Sequence, residues 1–412
     1  MTGVTVDSNS AFIAEQLYNV GISVKKMVTV GDSLVDLERE IYKASQQYNL
    51  LIINGGLGPT DDDLTARAVA HVFEKPLQYH PAAEQHIHHW CSERGINPNK
   101  ANLKQALLPA GSAIIPNPIG SAVGIKLEVK NNYHDCLILC TPGVPVEMHR
   151  MLQEQIIPQL KTRYPEARES FTRRLQVFGM GESSIQQKVH DELPDWPHEI
   201  ELGFRAGMPL LEVKLTVHHE KHLSLRDYWE IKLRSILGDH VFGEENDTLQ
   251  SSVINALKAK NKTLTIAESC TGGLISSLIT SIPGSSRVFE SGFVTYSNEI
   301  KQRVLGVDNK TLSLHGAVSK EVVLQMAHGA LEKSNADYAI AVSGIAGPDG
   351  GTDDKPVGTV WIAWGKANGI KTHAFFYPAE RKIFQLLVAA YALDLTRREV
   401  LEITELPRYL KR

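Results

Sequence analysis

The sequence of 412 residues has no apolar run near the roughly 20 residues that cross a bilayer. It contains four cysteines, and no two of them are spaced like zinc ligands or a redox dipeptide motif. A signal-peptide pattern is also missing. These absences predict a soluble protein of the reducing cytoplasm with no membrane partner.

An excess of positive charge is absent as well. The formal net charge is −4, which argues against a nucleic-acid-binding surface spread over the whole molecule. Hydrophobic residues make up 42% of the chain and charged residues 22%, the ordinary composition of a globular protein. The length suffices for two or three domains, and we expect three, over residues 1–166, 167–246 and 247–412.

The first region alternates predicted helices and strands, which is typical of a parallel α/β sheet. Apolar residues at helical spacing predict a helix over residues 10–20, followed by a strand over 22–30. A second helix is predicted over 36–48, and a short buried strand over 50–53.

A glycine-rich turn follows that buried strand in the segment NGGLGPTDDDLT, residues 54–65. Open α/β sheets bind ligands at the carboxyl ends of their strands, so we expect Gly56, Gly58 and Thr60 to contact a substrate. Another buried strand, 137–139, leads into a second turn, TPGVPVEM, which we expect at the same face of the sheet.

The aspartates of the first turn have two interpretations. Asp62 and Asp63 could hold a divalent cation such as Mg²⁺ beside a phosphate. Alternatively, residues 61–63 open a helix near Leu64, where the helix dipole favours negative charge. The sequence leaves both interpretations open.

The middle region has a smaller α/β pattern over residues 172–242. Its turn GMGE, residues 179–182, is too weak a motif to indicate nucleic-acid binding, and Glu182 would repel a phosphate. We expect this region to link its neighbouring domains or to mediate dimerisation of the protein.

The motif AESCTGG, residues 267–273, lies between a β-branched run and an apolar segment with helical spacing. A strand, a polar turn and a helix start aim backbone N–H groups at a bound anion or oxyanion. Cys270, Thr271 and Gly272 are therefore candidate substrate-binding residues, and Ser269 is a candidate nucleophile. The simpler alternative is a Ser/Thr helix cap followed by a glycine turn.

The segment FVTYSNEIK, residues 293–301, begins as a second apolar strand and continues into a polar turn that contains Tyr296 and Lys301. A serine hydroxyl needs a base, and a desolvated lysine with a lowered pKa can fill that role. Cys270 is intrinsically the better nucleophile, but a catalytic cysteine is usually partnered by a histidine. We therefore expect Ser269 to attack and the N–H groups of its turn to stabilise the oxyanion.

A third polar turn, SGIAGPDGG, follows a predicted strand over residues 338–342. Its glycines let the backbone approach a ligand closely, so Ser343 and Gly344 are candidate binding residues. Arg381 begins the final predicted helix, where its guanidinium could clamp a phosphate. The alternative is an ordinary arginine on a helix surface.

These motifs together resemble a known family. AESCTGG, FVTYSNEIK, LHGAVS, SGIAGPDGG and KPVGTVW occur in this order in the carboxyl-terminal amidase domain of the competence/damage-inducible CinA family. VDSN, TVGD, NGGLGPTDDDLT, KQALLP and TPGVPVEM are similar to the family's molybdopterin-binding-like domain. The resemblance implies an α/β protein of three domains: a three-layer α/β/α domain, a small KH-like α+β domain and an α/β amidase domain.

The resemblance implies two activities: deamidation of nicotinamide mononucleotide to nicotinate mononucleotide and ammonia, and hydrolysis of ADP-ribose with a divalent metal. It makes Ser269 the nucleophile, Lys301 the base, Tyr296 an assisting hydroxyl and Arg381 a phosphate clamp, with no cofactor for the amidase. We expect these nucleotides as ligands, a homodimer, and no nucleic-acid partner. The alternative is a nucleotide-binding or scaffold protein without turnover, which would need no paired nucleophile and base.

The resemblance also implies a buried strand and a Gly-Asp-Glu turn ahead of the VDSN segment. In this sequence VDSN occupies residues 6–9, and only five residues stand before it. We therefore expect the first sheet to lack its usual first strand. The loss of a central buried strand lowers the stability of the fold by about 5 kcal/mol or more, at roughly 25 cal/mol per Å² of buried apolar surface. It would weaken the pyrophosphatase and leave the amidase unaffected.

Overall fold

The structure is a computed structural model that describes residues 6–130, 134–167 and 169–410. The chain divides into two compact units, Met1–Phe171 with His218–Glu220 and Thr172–Val217 with Lys221–Arg412. No helix among the described residues is both long enough and apolar enough to span a membrane. The α/β class is confirmed, and the domain boundaries at residues 166 and 246 stay predictions.

The first unit contains one mixed sheet and a short two-stranded antiparallel sheet. Its helices are α1 (Ser8–Asn19), α2 (Leu34–Gln47), α3 (Thr65–Val72), α4 (Pro81–Ser92), α5 (Lys100–Lys104), α6 (Pro145–Met151) and α7 (Ile157–Arg163). Its strands are β1 (Leu50–Asn54), β2 (Leu77–Tyr79), β3 (Leu107–Pro109), β4 (Ala113–Ile115), β5 (Gly124–Lys130) and β6 (Asp135–Thr141). The mixed sheet has the order β1-β6-β5-β4, and β2 pairs with β3. The predicted parallel sheet is correct for β1 and β6 but wrong for β5 and β4, which pair antiparallel.

Both faces of this sheet are covered by helices. Because side chains alternate along a strand, Cys136, Ile138 and Cys140 of β6 join a core with α2, α3 and α4. Leu137 and Leu139 point to the other face and join a core with α1, α6 and α7. The first unit therefore has three layers, with the sheet in the middle.

The predicted strand over residues 22–30 is wrong. The segment belongs to no sheet among the described residues, and Val24, Met27 and Val28 are exposed. Residues of high β-propensity form a strand only where packing and a partner strand support them; Ile22 packs against the core, but the segment has no partner strand among the described residues. The expectation about a missing first strand concerns the chain before Val6, which lies outside the described residues.

The second unit contains two larger sheets. Its helices are α8 (Glu182–Glu192), α9 (Leu223–Leu237), α10 (Leu249–Lys260), α11 (Leu274–Thr280), α12 (Asn298–Leu305), α13 (Asn309–His315), α14 (Lys320–Ser334) and α15 (Arg381–Val400). Its strands are β7 (Phe171–Phe178), β8 (Glu201–Gly207), β9 (Leu210–Val217), β10 (Val241–Glu244), β11 (Leu264–Glu268), β12 (Phe289–Val294), β13 (Tyr338–Gly344), β14 (Thr359–Gly365) and β15 (Lys371–Phe376). The sheet orders are β10-β7-β9-β8 and β12-β11-β13-β14-β15.

The two faces of the five-stranded sheet carry side chains of different size. Isoleucines on one face, Ile266, Ile340 and Ile362, share a core with residues of α10 and α15. The alternate positions hold alanines, which share a second core with α14; these are Ala267, Ala341 and Ala363. Small side chains let α14 approach the sheet closely, so packing on this face leaves little spare volume.

α14 also lies close to α12, and Gly329 in the middle of α14 tests that contact. A Cβ added there would overlap the carbonyl oxygen of Leu305 at the end of α12. Alanine improves helix propensity by roughly 1 kcal/mol, but the overlap is with backbone, so we expect Gly329→Ala to lower the free energy of unfolding by about 1–3 kcal/mol in urea titrations.

Gly207→Ala is the matched control, because no atom lies within 4 Å of the added Cβ. Its free energy of unfolding should stay within about 0.5 kcal/mol of the wild type. A Gly329→Ala protein as stable as this control would contradict the close approach of α14 to α12.

Candidate active site

Three neighbouring strands of the second unit end at one edge of their sheet. β12, β11 and β13 are parallel to one another, so their carboxyl ends lie together. The N–H of Ser269, just after β11, donates to Val342 O on β13 at 3.1 Å. The N–H of Thr295, just after β12, donates to Glu268 O at 2.8 Å. These bonds extend the ladders into the polar turns and fix the turns relative to each other.

The Glu268 carboxylate holds the turn that carries Ser269. One oxygen accepts from Thr271 Oγ1 at 2.6 Å and from the N–H groups of Gly273 and Ile275, each at 3.1 Å. The other accepts from the N–H and Oγ of Ser276 at 2.8 and 2.7 Å. The side chain is fully buried and satisfies N–H groups at the start of α11 that have no partner inside the helix. Sequence reasoning missed this role, although an acidic residue between an apolar strand and a helix start was a signal for it.

Lys301 on α12 lies beside the serine. Its Nζ donates to Ser269 Oγ at 2.9 Å, to Thr295 O at 2.8 Å and to Tyr296 O at 3.3 Å. Only 1% of Lys301 is exposed, and burial lowers its pKa from 10.5 to about 8. A lysine with this pKa is partly neutral near physiological pH, so its amine can accept a proton from the serine hydroxyl.

Cys270 has the opposite environment. It belongs to the hydrophobic core, and burial raises the pKa of its thiol to about 12. Nearby backbone N–H groups and Lys301 offset only part of that effect, and the charge of Glu268 adds to it. A reactive cysteine needs a lowered pKa, so the environment favours Ser269 as the nucleophile.

Tyr296 and Arg381 meet at the solvent side of the site. The Tyr296 hydroxyl accepts from Arg381 Nη2 at 2.6 Å, and Arg381 Nη1 donates to Gly347 O at 2.7 Å. Arg381 is the first residue of α15, and Tyr296 is 59% exposed. The structure thus brings the two predicted residues together where an anion could also face the N-terminus of a helix.

The other predicted residues of this unit have structural contacts. Thr271 Oγ1 is bound to Glu268, and the Gly272 N–H donates to Ser269 O at 3.1 Å. Ser343 is buried, and its Oγ donates to Ala317 O at 2.8 Å, in the LHGAVS segment. These residues shape the site, and a direct contact with substrate stays a prediction for each of them.

Gln385 was not among the predicted residues. Its Nε2 donates to Cys270 O at 2.8 Å, so it contacts the same turn as Ser269. It lies one helical turn after Arg381 on α15. A single polar residue inside the apolar run 383–390, four positions after Arg381, was the available signal.

In the first unit, the loops after β1 and β6 lie side by side. Asn54 Nδ2 donates to Thr141 Oγ1 at 3.1 Å and to Pro142 O at 2.7 Å. Asn9 Nδ2 donates to Asn54 Oδ1 at 2.9 Å and to Gly143 O at 2.8 Å. The asparagines thus join the two glycine-containing loops at the carboxyl ends of two parallel strands.

The glycines of the first loop are explained by close contacts within the loop. A Cβ at Gly56, where φ is +69°, would lie 2.5 Å from Thr65 Oγ1. A Cβ at Gly58 would lie 2.5 Å from the Asp63 carboxylate. A ligand contact at either glycine stays a prediction.

The aspartates precede α3 and are not part of it. Asp63 accepts from the N–H and Oγ1 of Thr60 at 2.9 and 2.6 Å, and Asp61 pairs with Lys104 at 3.1 Å. The described residues contain no group of three or more His, Cys, Asp or Glu side chains that could hold a metal ion. A cation at Asp62 and Asp63, like the hydrolysis of ADP-ribose, therefore stays a prediction.

The fold and the site define an α/β protein with a buried serine–lysine pair. The model of the CinA C-terminal domain matches residues 246–400, and that of a probable molybdopterin binding domain matches residues 1–162. A CinA-like protein of Colwellia psychrerythraea is 50% identical over 413 residues, covering 100% of this chain and 95% of that protein. The chain therefore belongs to the CinA family, which confirms the resemblance seen in the motifs.

Two further matches carry more specific names. A protein of Shewanella oneidensis, named nicotinamide-nucleotide amidohydrolase PncC, is 38% identical over 402 residues, covering 97% of this chain and 93% of that protein. The crystal structure of competence/damage inducible protein CihA from Agrobacterium tumefaciens has 44% identity and a TM-score of 0.35, covering 36% of this chain and 90% of that one.

Replacing Glu268 by Gln tests its role in the turn. Glutamine keeps the size but presents an NH₂ group to N–H and O–H donors, and hydrogen bonds to charged groups contribute about 1.5–3 kcal/mol each. We expect Glu268→Gln to lower the free energy of unfolding by about 2–4 kcal/mol. Glu290→Gln on β12 is the control, because Glu290 is exposed. If both variants unfolded at the same urea concentration as the wild type, the carboxylate would not be holding the turn.

Proposed function

We propose that the second unit hydrolyses the carboxamide of nicotinamide mononucleotide to nicotinate mononucleotide and ammonia. The observation that carries this proposal is the buried Ser269 Oγ, 2.9 Å from the amine of Lys301, whose pKa is about 8. A protein that only binds nucleotides needs no nucleophile paired with a base in a dry site. The name of the Shewanella oneidensis relative supports the choice of substrate.

The first half-reaction forms an acyl-enzyme. Neutral Lys301 takes the proton from Ser269 Oγ while the oxygen attacks the carboxamide carbon. N–H groups of the turn stabilise the negative charge on the carboxamide oxygen. When the tetrahedral intermediate collapses, the C–N bond breaks and Lys301 passes the proton to the departing nitrogen, which leaves as ammonia.

The second half-reaction regenerates the enzyme. Lys301, neutral again, takes a proton from a water molecule that attacks the ester carbon. The bond to Ser269 Oγ then breaks, Lys301 returns the proton to the serine, and nicotinate mononucleotide leaves. One lysine thus serves both half-reactions, as a general base first and a general acid second.

Arg381 and Tyr296 would bind the phosphate of the nucleotide. Their side chains are hydrogen bonded at the mouth of the site, and a guanidinium can bind phosphate with two parallel bonds. The N-terminus of α15 adds a favourable dipole at the same place.

Ammonia release by the purified protein tests the proposed function. Nicotinamide mononucleotide should release ammonia, and nicotinamide riboside, which lacks only the phosphate, should show a lower kcat/KM because it cannot use Arg381. If neither compound released ammonia, the proposed function would be wrong.

Variants at the two adjacent nucleophile candidates test the assignment of the attacking atom. Ser269→Ala should reduce kcat by about four to six orders of magnitude, as removal of a catalytic serine does elsewhere. Cys270→Ala should keep kcat within about tenfold, because the buried thiol has a raised pKa. An inactive Cys270→Ala protein beside a nearly normal Ser269→Ala protein would reverse the assignment.

The pH dependence of turnover tests the role of Lys301. Only the neutral amine can accept a proton, so kcat/KM, which reports the pKa values of the free enzyme, should rise about tenfold per pH unit below a pKa of about 8 and level off above it. Lys301→Arg should abolish this rise together with the activity, because a guanidinium stays charged. A flat profile between pH 6 and pH 9 (roughly two units below and one above that pKa) would contradict general-base catalysis by Lys301.

A further inference from the structure

The contact between α15 and the catalytic turn has a role that depends on the proposed serine chemistry. We propose that Gln385 is a positioning residue: it orients the peptide between Cys270 and Thr271 so that the Thr271 N–H serves as a donor to the oxyanion. Gln385 itself does not touch the reacting atoms.

The position of Gln385 is fixed by the helix that carries it. Phe384 and Val388, on either side of it along α15, are completely buried in the core. Gln385 Nε2 reaches across to Cys270 O at 2.8 Å, a good hydrogen-bond distance. The turn therefore receives a bond from an element far away in sequence and rigidly packed.

A bond to the carbonyl oxygen also determines the direction of the N–H in the same peptide. Peptide units are planar and trans, so the C=O of Cys270 and the N–H of Thr271 point in opposite directions. Holding the oxygen toward Gln385 directs the Thr271 N–H away from α15. The bond also polarises the peptide, which makes that N–H a stronger donor.

The N–H groups of the turn are not equally available. Those of Ser269, Gly272 and Gly273 already donate to Val342 O, Ser269 O and the Glu268 carboxylate. Along the described parts of the chain, no oxygen accepts a hydrogen bond from the N–H of Cys270 or Thr271. Their neighbour is the neutral Cys270 thiol, which is a weak acceptor. A developing oxyanion would be a much stronger one.

The two available N–H groups are oriented by different means. Ser269 O is bound by the Gly272 N–H, so the peptide that carries the Cys270 N–H is fixed inside the turn. The peptide that carries the Thr271 N–H is held by Gln385. Loss of Gln385 should therefore affect one oxyanion donor and leave the turn itself held by Glu268.

The test compares Gln385→Leu and Gln385→Glu with the wild type in two assays. Leucine removes the donor at similar size, and glutamate places a carboxylate against Cys270 O. The first assay is turnover of nicotinamide mononucleotide. The second is labelling of Ser269 by a fluorophosphonate, in which the serine oxygen displaces fluoride and the phosphoryl oxygen takes the place of the oxyanion. Leu386→Ala is the control, because Leu386 is the next residue of α15 and is 41% exposed.

We expect both Gln385 variants to lower kcat and the labelling rate about 10- to 100-fold, since removing an oxyanion donor outright costs about 100- to 1,000-fold. KM should stay near the wild-type value, the loss of one hydrogen bond should lower the thermal midpoint by only a few degrees, and the control should be normal in both assays. Unchanged rates, a raised KM with normal kcat, or lower rates that are accounted for by unfolded protein at the assay temperature would each overturn the proposal.

The two assays separate this inference from the proposed function. If the wild type labels at Ser269 but releases no ammonia, the substrate is wrong, and the labelling rates still decide the role of Gln385. If Ser269 is not labelled in the wild type, the oxyanion site and its positioning by Gln385 are both overturned.

Discussion

The site of the second unit depends on a carboxylate that takes no part in the proposed chemistry. Glu268 is fully buried and binds three N–H groups and two hydroxyls at the start of α11. Without it, the buried donors Thr271 Oγ1 and Ile275 N–H would lose their partner, and each buried unsatisfied group costs about 1–3 kcal/mol. Burial near this turn also lowers the pKa of Lys301 and raises the pKa of the Cys270 thiol. Burial therefore selects the serine–lysine pair over the more nucleophilic sulfur.

The five-stranded sheet explains how residues from distant parts of the chain meet. β11 lies between β12 and β13, and all three are parallel, so Ser269 and Thr295, which follow β11 and β12, lie at the same edge as Ser343 near the end of β13. β14 and β15 are antiparallel and complete the sheet without supplying any of the candidate catalytic residues. α15 then brings Arg381 and Gln385 to that edge on one face of a single helix.

Features that depend only on neighbouring residues in the chain could be predicted from the sequence. The segments that contain Ser269 and Lys301 could be located because each follows a short apolar strand. Lys301 could be assigned as the base because a serine nucleophile needs a group that accepts its proton. The strand over residues 22–30 was predicted wrongly, and the antiparallel pairing of β5 with β6 was not foreseen, because the partner of a strand is not encoded in its own residues. Glu268 and Gln385 were missed for a related reason: their roles depend on which backbone groups they contact in three dimensions.

The acyl group on Ser269 is the most direct sign of the proposed chemistry, and rapid-quench mass spectrometry can detect it. The protein would be mixed with nicotinamide mononucleotide, quenched in acid and digested with trypsin, which places Ser269 and Cys270 in one peptide, residues 263–287. We predict a mass increase equal to the nicotinate mononucleotide acyl group on this peptide in the wild type and in Cys270→Ala, and no increase in Ser269→Ala. An adduct that persists in Ser269→Ala and disappears in Cys270→Ala would contradict the account.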